Sequence, residues 1–247
     1  STGKLFSCLP MNKVKLHTLW LLGMLFLMTA CGDDDDYYYP SVKLEFVTVK
    51  AGADGLIQSL LPDKGELLTV AKDRTGSTIS PNSARRVISN YEVNPEDATA
   101  VIYSLQSVVA PEPKGADDPA FEGGLKYDPV DVTSIWLGRD YLNMILNVKI
   151  NINSGKQHVF GMIEESVEVE GDETVVTLSL FHDANGDEEN YNRRAYISVP
   201  LTKYVDEENP HQTIRIKFKY HTTDKNGVVV ESSKYCDPGF EYVPGVN

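Results

Sequence analysis

The chain has 247 residues, with 23 Lys and Arg against 36 Asp and Glu, for a net charge of −13 with histidines neutral. That length suits one large β domain or two smaller ones. Nucleic-acid binding needs clustered Lys and Arg; Arg85-Arg86 and Arg193-Arg194 are too short for such a patch, and a surface this acidic repels phosphate backbones.

In chain order, the first readable element is an export signal. The first methionine is Met11, so residues 1–10 read as lying upstream of the signal proper. Lys13 and Lys15 form a positive start, residues 19–28 (LWLLGMLFLM) an uncharged apolar run, and Met28-Thr29-Ala30 a small-residue approach to Cys31. The run is too short to span a bilayer, which takes roughly 20 apolar residues. A cysteine standing where cleavage is expected resembles the lipobox of bacterial lipoproteins, with Met28 in place of the usual leucine. The resemblance implies lipid attachment at Cys31 and a mature chain that begins there. Removing Lys4, Lys13 and Lys15 from the 23 basic residues leaves 20 against 36 acidic, or −16. An anionic leaflet repels such a chain, so the lipid must do the anchoring.

Residues 31–40 read as a tether. Asp33 to Asp36 are four adjacent carboxylates that no core accepts. The run CGDDDD is similar to the export signal of surface-exposed lipoproteins in some Gram-negative bacteria. It implies an outer-membrane location facing the exterior, where the partners are the membrane, through the anchor, and a protein or glycan.

Beyond the tether the pattern is that of strands. Leu44 and Phe46 alternate with Lys43 and Glu45, and Val47 and Val49 then break phase. Residues 56–61, 66–71 and 86–93 are further strands. Residues 94–109 support two readings: Asn94-Pro95 caps a helix with Ala98, Val101, Ile102 and Leu105 as its stripe, or Val101, Tyr103 and Leu105 alternate in a strand. Domains are expected at 41–112 and 122–247, joined by a Pro- and Gly-rich linker at 113–121. The second half alternates cleanly: Leu142 to Ile152, then 158–169, 175–181, 191–201, 213–220 and 228–232, separated by turn signals that include Asn153-Ser154-Gly155, a hairpin at Asn185-Gly186, and Asn226-Gly227. Short strands at this spacing predict an all-β antiparallel sandwich.

Signal, acidic tether, strand-rich first unit and β-rich second unit together resemble the NigD-like lipoprotein family. The segments that carry the likeness are Glu66-Leu67-Leu68-Thr69-Val70, Arg86-Val87-Ile88, Val101-Ile102-Tyr103-Ser104-Leu105 and the strand at 141–152. The resemblance implies a small OB-like barrel at 41–112 followed by the sandwich, makes residues 99–109 strand, and brings no catalytic residues.

Chemistry is sparse. After Cys31 only Cys236 remains, so no internal disulfide forms. His158, His182, His211 and His221 fit no metal spacing, and no nucleophile elbow, P-loop or dinucleotide fingerprint is present. Glu164 and Glu165 are adjacent and should point to opposite faces of a strand, not into one cleft. Asp183-x-Asn185-x-Asp187 has the alternate oxygens of a calcium loop, but Glu188 stands where glycine is needed and Arg194 where a bidentate Glu is needed. An acidic hairpin built on Asn185-Gly186 is the favoured account of these residues. Catalytic, cofactor and metal residues are therefore all expected to be none. The function expected is a non-enzymatic, membrane-anchored interaction or accessory module. A glycan-binding lipoprotein is the alternative, with Trp136 stacking on a sugar or buried in the core, and a glycoside hydrolase ranks third.

Overall fold

A computed structural model describes residues 43–187 and 190–244. Cys31, expected to carry lipid, the expected tether at 31–40 and Glu188 lie outside the described residues. Residues 41–247 form one compact unit.

The first part is a closed barrel of β1 (Lys43–Ala51), β2 (Ile57–Pro62), β3 (Leu68–Asp73), β4 (Ala84–Asn94) and β5 (Thr99–Ser107), in the order β1-β2-β3-β5-β4. Val47, Val49, Leu60, Tyr91, Ala100 and Ile102 fill it. The phase break in β1 now has its reason: Val47 and Val49 face the barrel interior, while Leu44 and Phe46 lie on the strand's other face and line a cleft. Residues 95–98 are a turn, with Ala98 at φ 52°, and β4 pairs antiparallel with β5. The strand reading of 99–107 holds; the helix reading of 94–105 is overturned by that hairpin.

The second part is the expected sandwich. One sheet holds β6 (Pro113–Gly115), β9 (Val159–Glu170), β10 (Glu173–Asp183), β12 (Thr213–Thr223) and β13 (Val229–Tyr242), in the order β13-β12-β10-β9-β6. The other holds β7 (Asp131–Gly138), β8 (Tyr141–Ile150) and β11 (Tyr191–Pro200), in the order β11-β8-β7. Between them Leu142, Met144, Leu146, Val148, Ile197, Val199, Ile214, Ile216 and Phe218 form the main core. Alternation in β12 thus has the cause inferred from sequence, one face dry and one wetter, whereas in β8 the second face is partly covered too, with Asn143 buried.

Three details depart from the sequence reading. Asn185 and Gly186 do adopt the left-handed turn conformation, with φ 52° and 64°, but they close no hairpin: β10 pairs with β9 and β12, and β11 with β8. Their turn carries the chain from one sheet to the other. Within the larger sheet β10 and β12 run parallel. The last strand continues well past residue 232, through Asp237-Pro238-Gly239, where Gly239 at φ 75° lies so close to the Ile216 carbonyl that a side chain would not fit. The stretch between barrel and sandwich contributes β6 and a one-turn 3-10 helix, Pro119–Phe121, capped by Asp118.

Candidate functional site

The barrel sits on the outer face of the three-stranded sheet, and a charged residue pins it there. Arg86 of β4 is 5 % exposed. Its guanidinium donates to Asp63 Oδ2 at 2.6 Å, to Asn143 Oδ1 at 3.1 Å and, through Nε, to Ser198 Oγ at 2.8 Å. Asn143 Nδ2 donates to the same Asp63 oxygen at 2.7 Å, and Ser198 Oγ donates to Asn143 Oδ1 at 2.6 Å. The guanidinium carbon lies 3.9 Å from the Tyr141 ring centroid. A buried arginine is tolerated when its planar donors are met in this way. Arg139 adds a second tie, donating to the Pro62 and Gly65 carbonyls.

Beside this clamp the barrel and sheet diverge into a cleft of about 350 Å³. Phe46 stands edge-on to Trp136, with ring centroids 5.3 Å apart, and 6.3 Å from Tyr196. Leu44, Ile88, Leu137 and Ile145 extend the apolar lining, while Glu45, Lys64, Gln106 and Arg194 add polar groups. Asp63 also lines it, and its Oδ1, although buried, accepts no hydrogen bond within the described residues. An apolar concavity with a few oriented polar atoms is the usual form of a ligand site. Trp136 is half-buried, neither the core residue nor the free platform that the sequence offered as alternatives.

A second cleft, of about 340 Å³, adjoins the first through Gln106, Arg194 and Tyr196. At its edge two histidines absent from any sequence motif meet. His182 Nδ1 faces the Asp128 carbonyl at 3.0 Å, His182 Nε2 faces His158 Nδ1 at 2.9 Å, and His158 Nε2 faces Asp187 Oδ2 at 3.0 Å. The carbonyl only accepts, so His182 carries its hydrogen on Nδ1 and accepts at Nε2 from His158. Phe160 stacks on His182. Burial lowers the His182 pKa from its ordinary 6.5. The Ser154 hydroxyl, with His158 and the Asn151 N–H, outweighs burial and holds the Asp187 carboxyl down at about 2.

These shifts fix an acid limb. An unfolded chain takes a proton at His182 below pH 6.5 that the fold resists, and one at Asp187 below pH 3.8 that the fold also resists. Both stabilities are present at neutral pH and lost on acidification. Melting temperature is expected to fall as pH drops below about 6.5, more gently in His182→Phe, as a series of thermal melts would record. A flat profile from neutrality to pH 4.5 would contradict it.

The residues singled out in the sequence lie apart from one another. Asp187 points to Ser154, His158 and Asn151, Asp183 accepts from the Asn185 N–H, and the Asn185 side chain donates to the Gln157 carbonyl. These oxygens do not converge, and among the described residues no group of three metal-ligating acidic, His or Cys side chains occurs. Glu164 bonds with Tyr204 and Lys203, whose hydrogen bonds override burial and hold its carboxyl low; Glu165 pairs with Lys219. The two share no cleft. Cys236 is half-buried, its thiol pushed up by burial, and donates to the Phe218 carbonyl. His211 is exposed, and His221 lies against Tyr127. The Arg86 clamp and the histidine pair went unseen in sequence; the turn at Gly171, which sets the β9–β10 register, was the signal that could have placed His158 near His182.

Comparison with known proteins follows the same division. Residues 46–108 match a family model described as the NigD-like N-terminal OB domain, and residues 114–232 one described as the NigD-like C-terminal beta sandwich domain. No curated protein matches. Among solved structures, a NigD-like immunity protein from Bacteroides caccae is 70 % identical, with a TM-score of 0.75 over 84 % of this chain and 100 % of its own. A candidate toxin-related protein from Parabacteroides distasonis is 16 % identical, with a TM-score of 0.63 over 83 % of this chain and 94 % of its own. A candidate lipoprotein from Bacteroides fragilis is 10 % identical, with a TM-score of 0.51 over 77 % of this chain and 96 % of its own. The last two share the fold alone.

Proposed function

This chain belongs to the NigD-like family, and from that premise we propose that it is a lipid-anchored, non-catalytic binding module of the outer membrane with an immunity role. The anchor is Cys31, and the acidic tether at 31–40 holds the folded unit off the surface, facing outward. The partner, a toxic protein or peptide met at the cell surface, inserts apolar side chains into the junction cleft. The observation that carries this reading is the Phe46–Trp136–Tyr196 concavity beside the unpaired Asp63 oxygen. Aromatic anchors in a partly desolvated pocket are where binding energy concentrates. The 70 % identical relative, described as an immunity protein, supports the role. His158, Asp187, Glu164 and Glu165, the acids and histidines nearest to a catalytic pattern, are each engaged in structural pairs.

Two measurements test it. Mass spectrometry of the membrane-extracted N-terminus should find acylated Cys31, and Cys31→Ser should release the protein from membranes; an unmodified N-terminus would remove the anchor. A sensitive strain expressing the chain should survive toxin-containing supernatants of competing isolates, and Trp136→Ala should abolish that protection. A second reading, glycan binding, is favoured by the half-exposed Trp136 beside Tyr196 in a concave surface. Trp136-dependent retention on a glycan array, without protection, would establish it in place of the first.

A further inference from the structure

Two strand edges of the sandwich are open and carry opposite charge. β11 pairs with β8 on one side only. Its other side is met at one end by Val109, whose N–H donates to the Tyr196 carbonyl and whose carbonyl accepts from the Ser198 N–H. The strand's two-residue period turns the backbone of Asn192 and Arg194 the same way, toward solvent. Tyr191, Asn192, Arg193 and Arg194 are all exposed, and Tyr191 is 59 % exposed. Among the described residues neither Arg193 nor Arg194 makes an ion pair, in a chain of net charge −13.

The other edge belongs to β9. Its partner β6 covers only Met162 to Glu164. The strand continues to Glu170 with that side open, and Val167, Glu168, Val169 and Glu170 are all exposed. Val169 is 73 % and Val167 47 % exposed, a high figure for valines in a strand. Glu168 and Glu170 form no ion pair among the described residues.

We infer that the chain associates head to tail, the β9 edge of one copy adding as a fourth strand to the β11 edge of the next. The free stretch of β9, from Glu165 to Glu170, is long enough to cover the free end of β11, from Tyr191 to Ala195. With the face bearing Glu168 and Glu170 set against that bearing Asn192 and Arg194, the face with Val167 and Val169 meets that with Tyr191, Arg193 and Ala195. Carboxylates then meet the Arg194 guanidinium, and the exposed valines meet an aromatic ring, a methyl group and the aliphatic stem of Arg193. Charge also removes the symmetric alternatives: β11 against β11 opposes arginines, and β9 against β9 opposes glutamates. Each added copy leaves one β11 and one β9 edge free, so the contact is heterologous and grows with concentration. Confinement of anchored copies to a membrane surface would raise their local concentration and favour it.

Residues 41–247 form a compact unit, and the crystallised relative, matched over 100 % of its length by 84 % of this chain, folds with no more than that. Sedimentation velocity on this unit should show a mass that rises with concentration and returns to monomer at about 1 M salt, where the screening length is about 3 Å. R193E/R194E alone and E168R/E170R alone should each be monomeric, and an equimolar mixture of the two should associate again, with circular dichroism confirming both folds. A monomer at every concentration, a salt-insensitive closed dimer, or a mixture that stays monomeric would each overturn the inference. Trp136→Ala should leave the association intact while removing protection, which keeps the two readings separable.

Discussion

Arg86→Ala is expected to cost about 3–5 kcal/mol of folding stability, the loss typical when one member of a buried ion pair is removed. The arginine side chain is 3 % exposed and that of Asp63 13 % exposed, so the remaining carboxylate has little water to turn to. Among the described residues its Oδ1 already accepts no hydrogen bond, and Oδ2 would be left with Asn143 alone. Ser198 would lose a partner at the same time, and Tyr141 the guanidinium that covers it. For a unit of this size the loss corresponds to a fall in melting temperature on the order of 10 °C. Urea unfolding of the single variant and of Arg86→Leu with Asp63→Leu would separate the causes. If the uncompensated carboxylate dominates, the double variant recovers most of the loss; a single-variant loss under about 1 kcal/mol would mean that the junction is held elsewhere.

Gly138→Ala should be nearly as damaging, with an expected loss of about 1–3 kcal/mol from overpacking, rising with the rigidity of what it meets. Gly138 ends β7 beneath the barrel, and a Cβ there would run into the Asp63 carboxylate and the Asn143 amide. Neither side chain can swing aside without releasing Arg86. The two substitutions therefore act on one network, and their combined cost should be less than the sum of the two. Equilibrium unfolding of Gly138→Ala, Arg86→Ala and the pair gives that coupling directly. A wild-type midpoint for Gly138→Ala would show that the clamp is looser than its distances imply.

Much of the architecture was legible because it follows from a local rule. Alternation in Leu142 to Val148 and in Ile214 to Tyr220 reports a strand with one dry face, whatever lies across from it. Asn185-Gly186 shows the limit of such rules. Side-chain size fixes the left-handed turn conformation, but not which strands the turn joins, and here it joins different sheets. In residues 99–107 helical and strand spacing coincide, and pairing with β4 decides between them. The candidate site was the least legible part. Arg85-Arg86 reads as a minor basic pair; that Arg86 is buried depends on Asp63, Asn143 and Ser198, the last 112 positions away. Trp136 gains its role from Phe46, which belongs to the other half of the chain.

Asn143 and Ser198 are polar, lie on the face of the three-stranded sheet turned away from the core, and are nonetheless 0 % exposed. Under most sandwiches that face would meet solvent; here the barrel roofs it. The family's two halves are for that reason poor candidates for evolutionary shuffling. A lineage that shed residues 43–107 would uncover Trp136, Ile145 and Tyr196 together, and the orphaned half would be sticky before it was free. Gene fragments that encode either half alone should accordingly express as aggregates, and the order barrel-then-sandwich should be inherited as a single unit.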